Sequence, residues 1–242
     1  MNKVYISNLF NKSFTFLENF IDLNTIFLRH QPRLFIFSLH STNIKDFDKY
    51  KSLLKQINHI APFLNPTDID NYYSGKYGSS PRSLLTLDDG FVDNYDFANL
   101  ILNPLNIKAI FFIIPYYLEN IYSPSEFLYA LYPKLNQKFQ PINLDRYRHL
   151  NLNQVESLYD FGHTIGIHGY NHESSTSISS NDLSKLTSRS INVLEKYLNN
   201  INHYCYPFGS YRDFSPTTNS LLKSKFRFIH TGIRGSNTIH EY

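Results

Sequence analysis

The chain has 242 residues, 42% of them hydrophobic, which excludes intrinsic disorder and suffices for one α/β domain with a sizeable core. Its 23 basic and 20 acidic residues leave a net charge of +3 with no basic run. That excludes an extended nucleic-acid footprint but stays compatible with peripheral contact to an anionic membrane surface or a phosphorylated sugar carrier.

Met1 to Asp22 is interrupted by Asn8, Asn11, Lys12, Glu18 and Asn19, so no secretory leader is read there and a cytoplasmic location is expected. The single cysteine, Cys205, rules out an internal disulfide and fits a reducing compartment. Residues 1–30 read as an N-terminal extension and 31–242 as the main domain. Leu34–Leu39 is a predicted strand, followed by helical spacing through Phe47, Leu53, Leu54, Ile57 and Ile60. Asn65 to Pro81 is a turn-rich connector, and Leu84–Asp88 is the next strand. Asn94–Leu102 predicts a helix stopped by Pro104, and Lys108–Ile114 an apolar, buried strand. The most apolar window, Leu100 to Leu118, is broken by Asn103, Pro104, Asn106, Lys108 and Pro115, so no transmembrane segment is read.

A Tyr-rich insertion with short helices occupies about 115–150; it reads as packing or as a lid or platform for sugar rings. Leu152–Tyr159 predicts a helix and Thr164–His168 a strand end. Ser180 or Asn181 then caps a helix carrying Leu183, Leu186, Leu194 and Leu198. His203–Tyr206 and Phe226–Thr231 close the chain as short strands. The alternation predicts an α/β fold, a distorted, incomplete (β/α) barrel with its chemistry at the C-terminal ends of the strands.

Three motifs fall at such ends. In Thr86-Leu87-Asp88-Asp89-Gly90, adjacent carboxylates leave a strand in different directions, so one can ligate a metal while the other faces substrate. The alternative is a solvated acidic turn. In His168-Gly169-Tyr170-Asn171-His172, histidines four apart on a helical turn share one face and can bind one ion; among ten histidines such a pair also arises by chance. Tyr206-Pro207-Phe208-Gly209 can hold a backbone N–H towards a reacting centre, or simply end a strand.

Their order and intervals resemble the NodB-homology polysaccharide deacetylases, carbohydrate esterase family four. LLTLDDGFVDNYDFANLILNPLNIKAIFFI (Leu84 to Ile113) is similar to the family's first motif region, and GHTIGIHGYNH (Gly162 to His172) to its metal-binding histidine motif. YCYPFGSY (Tyr204 to Tyr211) resembles the third motif in the branch that reads Tyr-Pro-aromatic-Gly, and Ser38-Leu39-His40 sits like the opening strand. The resemblance implies a catalytic domain over 31–242 that hydrolyses an N-acyl group, N-acetyl above all, from an amino sugar. It further implies one divalent ion, Zn²⁺ first, on Asp89, His168 and His172, with Asp88 as general base. The N–H of Phe208 would stabilise the oxyanion, with Tyr206 beside the substrate. Without a leader, the expected substrate is a free, nucleotide-linked or lipid-linked amino sugar in surface-glycan assembly.

The sequence departs from that pattern in four places. Gly169 replaces a Ser or Thr, and Cys205 stands where many members carry an Arg that pairs with the base. The Asp-containing fourth motif is not recognisable. The histidine that protonates the leaving amine has only His230 and His240 as candidates. These departures keep a second reading open: a weak or inactive relative that binds a glycan or a partner protein. Asp93 and Tyr95 read either as supports for a metal ligand or as the start of the next helix.

Overall fold

The computed structural model describes residues 33–132, 147–233 and 237–238; the N-terminal extension 1–30 and His240 lie outside them. Seven strands form one sheet in the order β6-β5-β4-β3-β2-β1-β7. They are β1 (Arg33–Leu39), β2 (Arg82–Leu87), β3 (Ala109–Ile113), β4 (Thr164–Ile167), β5 (His203–Cys205), β6 (Phe228–His230) and β7 (Asn237–Thr238). β1 pairs parallel with β2, β4 with β5 and β5 with β6, while β7 runs antiparallel to β1. Parallel neighbours need crossovers, and the helices supply them.

Two compact units are distinguished, and the first contains β1, β2 and β7. Its long helix α1 (Phe47–Ile60) turns Phe47, Tyr50, Leu53, Leu54 and Ile57 inward, the i, i+3, i+4 spacing of one apolar face. The turn-rich connector holds a short helix, α2 (Ile69–Tyr73). The helix predicted over Asn94–Leu102 is instead α3 (Asp93–Phe97) followed by one π-turn, Ala98–Leu102. Its closing hydrogen bond runs five residues back, Asn103 N to Ala98 O at 2.8 Å. Phe97 packs against Phe47 and Tyr50, with ring centroids 5.4 and 5.2 Å away.

The second unit comprises Asp88–Val92 and the described part of Phe111–Arg234. Its helices are α4 (Tyr116–Glu119), α5 (Pro124–Leu131), α6 (Leu152–Asp160), α7 (Ser180–Leu194) and α8 (Pro216–Lys223). The cap of α7 is Ser179, one residue before the predicted pair. Ser179 has the extended backbone of a cap, and its hydroxyl accepts from Asp182 N. Reciprocal capping boxes start α5 at Ser123 and α6 at Asn151. Among the described residues no helix is long and apolar enough to cross a membrane.

Candidate metal centre

The chain leaves β2 through Asp88, Asp89 and Gly90, all within the second unit. Asp89 and Gly90 both adopt left-handed backbone, with φ of 71° and 68°. Both acidic residues are buried, Asp88 8% and Asp89 3% exposed. Gly90 is required twice over: a Cβ there would lie 2.4 Å from Nε2 of His149.

The histidine motif follows β4, where His168 N donates to Ile113 O at 2.8 Å. A shared helical face was expected for His168 and His172; the segment is instead an irregular loop with left-handed Gly169 (φ 67°) and His172 (φ 64°). Tyr170 holds that loop. Its carbonyl accepts from Tyr116 N at 2.9 Å, its hydroxyl donates to Glu119 at 3.0 Å, and the Arg189 guanidinium lies 4.7 Å from its ring centre. The departure at Gly169 has a physical reason, since a Cβ there would be strained and 2.9 Å from Cγ of Pro207.

The two loops bring Asp89, His168 and His172 together. Nε2 of each histidine lies 3.3 Å from the same oxygen, Oδ1 of Asp89, and the three potential ligand atoms fall within 4.8 Å of one another. Nδ1 of His168 is 2.9 Å from the carbonyl of Cys205. That contact makes Nδ1 the donor and directs the Nε2 lone pair at the centre, the second-sphere arrangement of a metal-ligating imidazole. Burial opposes a charge on His168, but Cys205 and Asp89 outweigh it and hold its pKa well above the ordinary value. Two imidazoles and one carboxylate suit Zn²⁺ or a similar divalent ion, and three protein ligands leave a coordination position open. The donor set, its burial and the Cys205 contact therefore fit a cation.

The third motif follows β5. Phe208 is left-handed (φ 62°) and half exposed, with its ring 4.6 Å from that of His172 in an edge-to-face contact. Gly209 next to it is also left-handed and bonds Gly232 N through its carbonyl at 2.9 Å. Tyr206, expected beside the substrate, is 1% exposed. Its ring stacks on Phe214 at 5.2 Å and its N–H donates to His230 O, so it supports the loop from beneath and offers no surface to a ligand. The thiol of Cys205 is pushed up to about 11, first by burial and then by the Asp88 carboxylate, which makes it inert near neutral pH.

His230 does not fit the role of acid. Its Nε2 lies 3.1 Å from Nδ1 of buried His203, and burial lowers its pKa to about 4. Asp93 opens α3 and accepts from Ser41 Oγ at 2.5 Å.

His149 was missed by sequence reasoning. It is buried over Gly90, and desolvation lowers its pKa to about 4. No spacing rule relates a histidine to a glycine 59 positions earlier, so only the folded chain reveals it.

Several solved structures share the fold. The deacetylase PplD of Streptococcus pyogenes in complex with acetate superimposes with a TM-score of 0.66 at 18% identity, over 86% of this chain and 88% of that one. A de-N-acetylase from Aggregatibacter actinomycetemcomitans gives 0.64 at 17%, over 86% and 91%. IcaB from Ammonifex degensii gives 0.61 at 16%, over 84% and 92%. These likenesses give the fold, a distorted, incomplete (β/α) barrel of the NodB-homology type. None of the curated proteins matches the chain. The sequence model for polysaccharide deacetylase matches residues 76–224, the stretch holding all three motifs, and on that match the chain belongs to the polysaccharide deacetylase family.

Proposed function

We propose that the protein is a metal-dependent N-deacetylase of an amino sugar, with Asp89, His168 and His172 holding one divalent ion, Zn²⁺ first. The observation that carries the reading is the shared Oδ1 of Asp89, 3.3 Å from Nε2 of both histidines. A cation held there supplies Lewis-acid activation of water and of the amide carbonyl. Asp88, buried and next in sequence to a ligand, takes the proton of the attacking water. Phe208 presents its backbone N–H from a left-handed turn to the oxygen on which charge develops. The exposed part of the Phe208 ring offers an apolar face to a sugar.

The substrate we propose is an N-acetylhexosamine in free, nucleotide-linked or lipid-linked form. A glycan-binding protein with little turnover is the second reading, favoured by the burial of His230 against His203, which removes that histidine as an acid for the leaving amine. Acetate release separates the two. The Zn²⁺-loaded protein is incubated with N-acetylglucosamine oligomers, a nucleotide-linked N-acetylhexosamine and a lipid-linked one. Release from one of these, stopped by a chelator, is the expected result; binding of a sugar with no release at any metal loading contradicts it.

A further inference from the structure

The second unit contains a histidine to which the reaction assigns nothing. We infer that His149 is a positioning residue for the Asp89 carboxylate, and that Tyr117, Tyr122 and Phe127 are the clamp that holds it. The inference rests on the reading of Asp89 as a metal ligand.

Both ring nitrogens of His149 have structural partners. Nδ1 is 2.7 Å from Leu150 O and must donate; Nε2 is 3.2 Å from Ile114 N and must accept. These contacts define one neutral tautomer, tied to the end of β3. The backbone is held as well. His149 N donates to the Tyr122 hydroxyl at 2.8 Å, and that hydroxyl lies 3.3 Å from His149 O. Tyr117 and Phe127 border the ring, with centroids 5.7 and 5.6 Å away.

On its other side the ring meets the first motif. It covers Gly90 so closely that a Cβ would fall 2.4 Å from Nε2. Phe91 and His149 form an antiparallel bridge, Leu150 N donates to Gly90 O at 2.7 Å, and Val92 N donates to Arg148 O at 2.8 Å. Residues 90–92 are thereby clipped to 148–150 directly after Asp89. Asp89 has a left-handed backbone, a conformation uncommon for an L-residue, and this clip fixes the chain immediately after it. Tyr117, Tyr122 and Phe127 therefore act on the centre through His149.

The test is the Zn²⁺ dissociation constant, measured by competition with a chromophoric chelator. Supports of metal ligands are generally worth ~10–100-fold in affinity, and His149→Ala is expected to weaken binding by that much. His149→Gln, whose amide oxygen can accept from Ile114 N, should recover part of the loss. Tyr122→Phe, a milder change that keeps the clip folded, should weaken binding several-fold. Ser179→Ala removes the cap of α7 and lowers Tm without touching Gly90, so it should leave the affinity unchanged. Wild-type affinity in both His149→Ala and Tyr122→Phe, or an equal loss in Ser179→Ala, would overturn the positioning role. A wild type that binds no Zn²⁺ would overturn the metal reading beneath it.

Discussion

The second unit contains two close pairs of histidines with nearly the same spacing and opposite chemistry. The rings of His168 and His172 are 5.0 Å apart, and those of His203 and His230 are 5.3 Å apart. Oδ1 of Asp89 lies 3.3 Å from Nε2 of both members of the first pair, and Cys205 and Asp89 hold the pKa of His168 well above the ordinary value although it is buried. The second pair sits among aromatic rings: Phe228 stacks on His203 at 4.7 Å, and Phe112 lies 5.0 Å from His230. Burial therefore pushes both of its members down. Histidine proximity alone does not make a cation site. The carboxylate decides, and it reaches the pair only through the left-handed turn at Asp89.

The largest expected effect tests which region does chemistry. Asp88→Asn should lower kcat by roughly 10²–10⁴ while metal content stays at the wild-type level. His230→Leu should leave kcat unchanged, and a loss comparable to that of Asp88→Asn would return His230 to the reaction.

The second effect is on stability against pH. His230 and His149 have folded pKa values near 4, below the usual 6.5. The unfolded chain thus binds protons that the folded chain refuses. Stability is full above about pH 6.5 and falls as pH drops towards 4, by roughly 3 kcal/mol for each histidine. Urea midpoints between pH 7 and 4.5 should show this slope, and His230→Leu should flatten it.

A smaller effect concerns the histidine loop. Gly169→Ser forces a side chain into left-handed backbone against Pro207, and should lower stability by about 1–2 kcal/mol in the same denaturation assay. The smallest is chemical: Cys205 should resist alkylation in the folded protein and react only on unfolding, as a buried thiol with a raised pKa must.

Much of this was legible in the sequence because it depends on strand ends. The strands before Asp88, His168 and Tyr206 are short, and each motif follows one directly. What was not legible is backbone sign. Asp89, His172 and Phe208 are all left-handed, a state that nothing in their side chains announces, and it turned an expected helical pair into a loop pair. Tyr206 was misjudged for a related reason: strand alternation gives two faces, but only packing against Phe214 tells which is covered. His149 was invisible because its role depends on contacts to Gly90 and Ile114, distant in sequence.

In the proposed function Asp89 converts a buried histidine pair into a metal site. The most direct test is bound-metal stoichiometry after Zn²⁺ loading and gel filtration, in the wild type, in an Asp89→Ala, His172→Ala double variant, and in His203→Leu. The account predicts about one ion per chain in the wild type and in His203→Leu, and none in the double variant. A wild type that retains no metal, or a double variant that retains it fully, would contradict it.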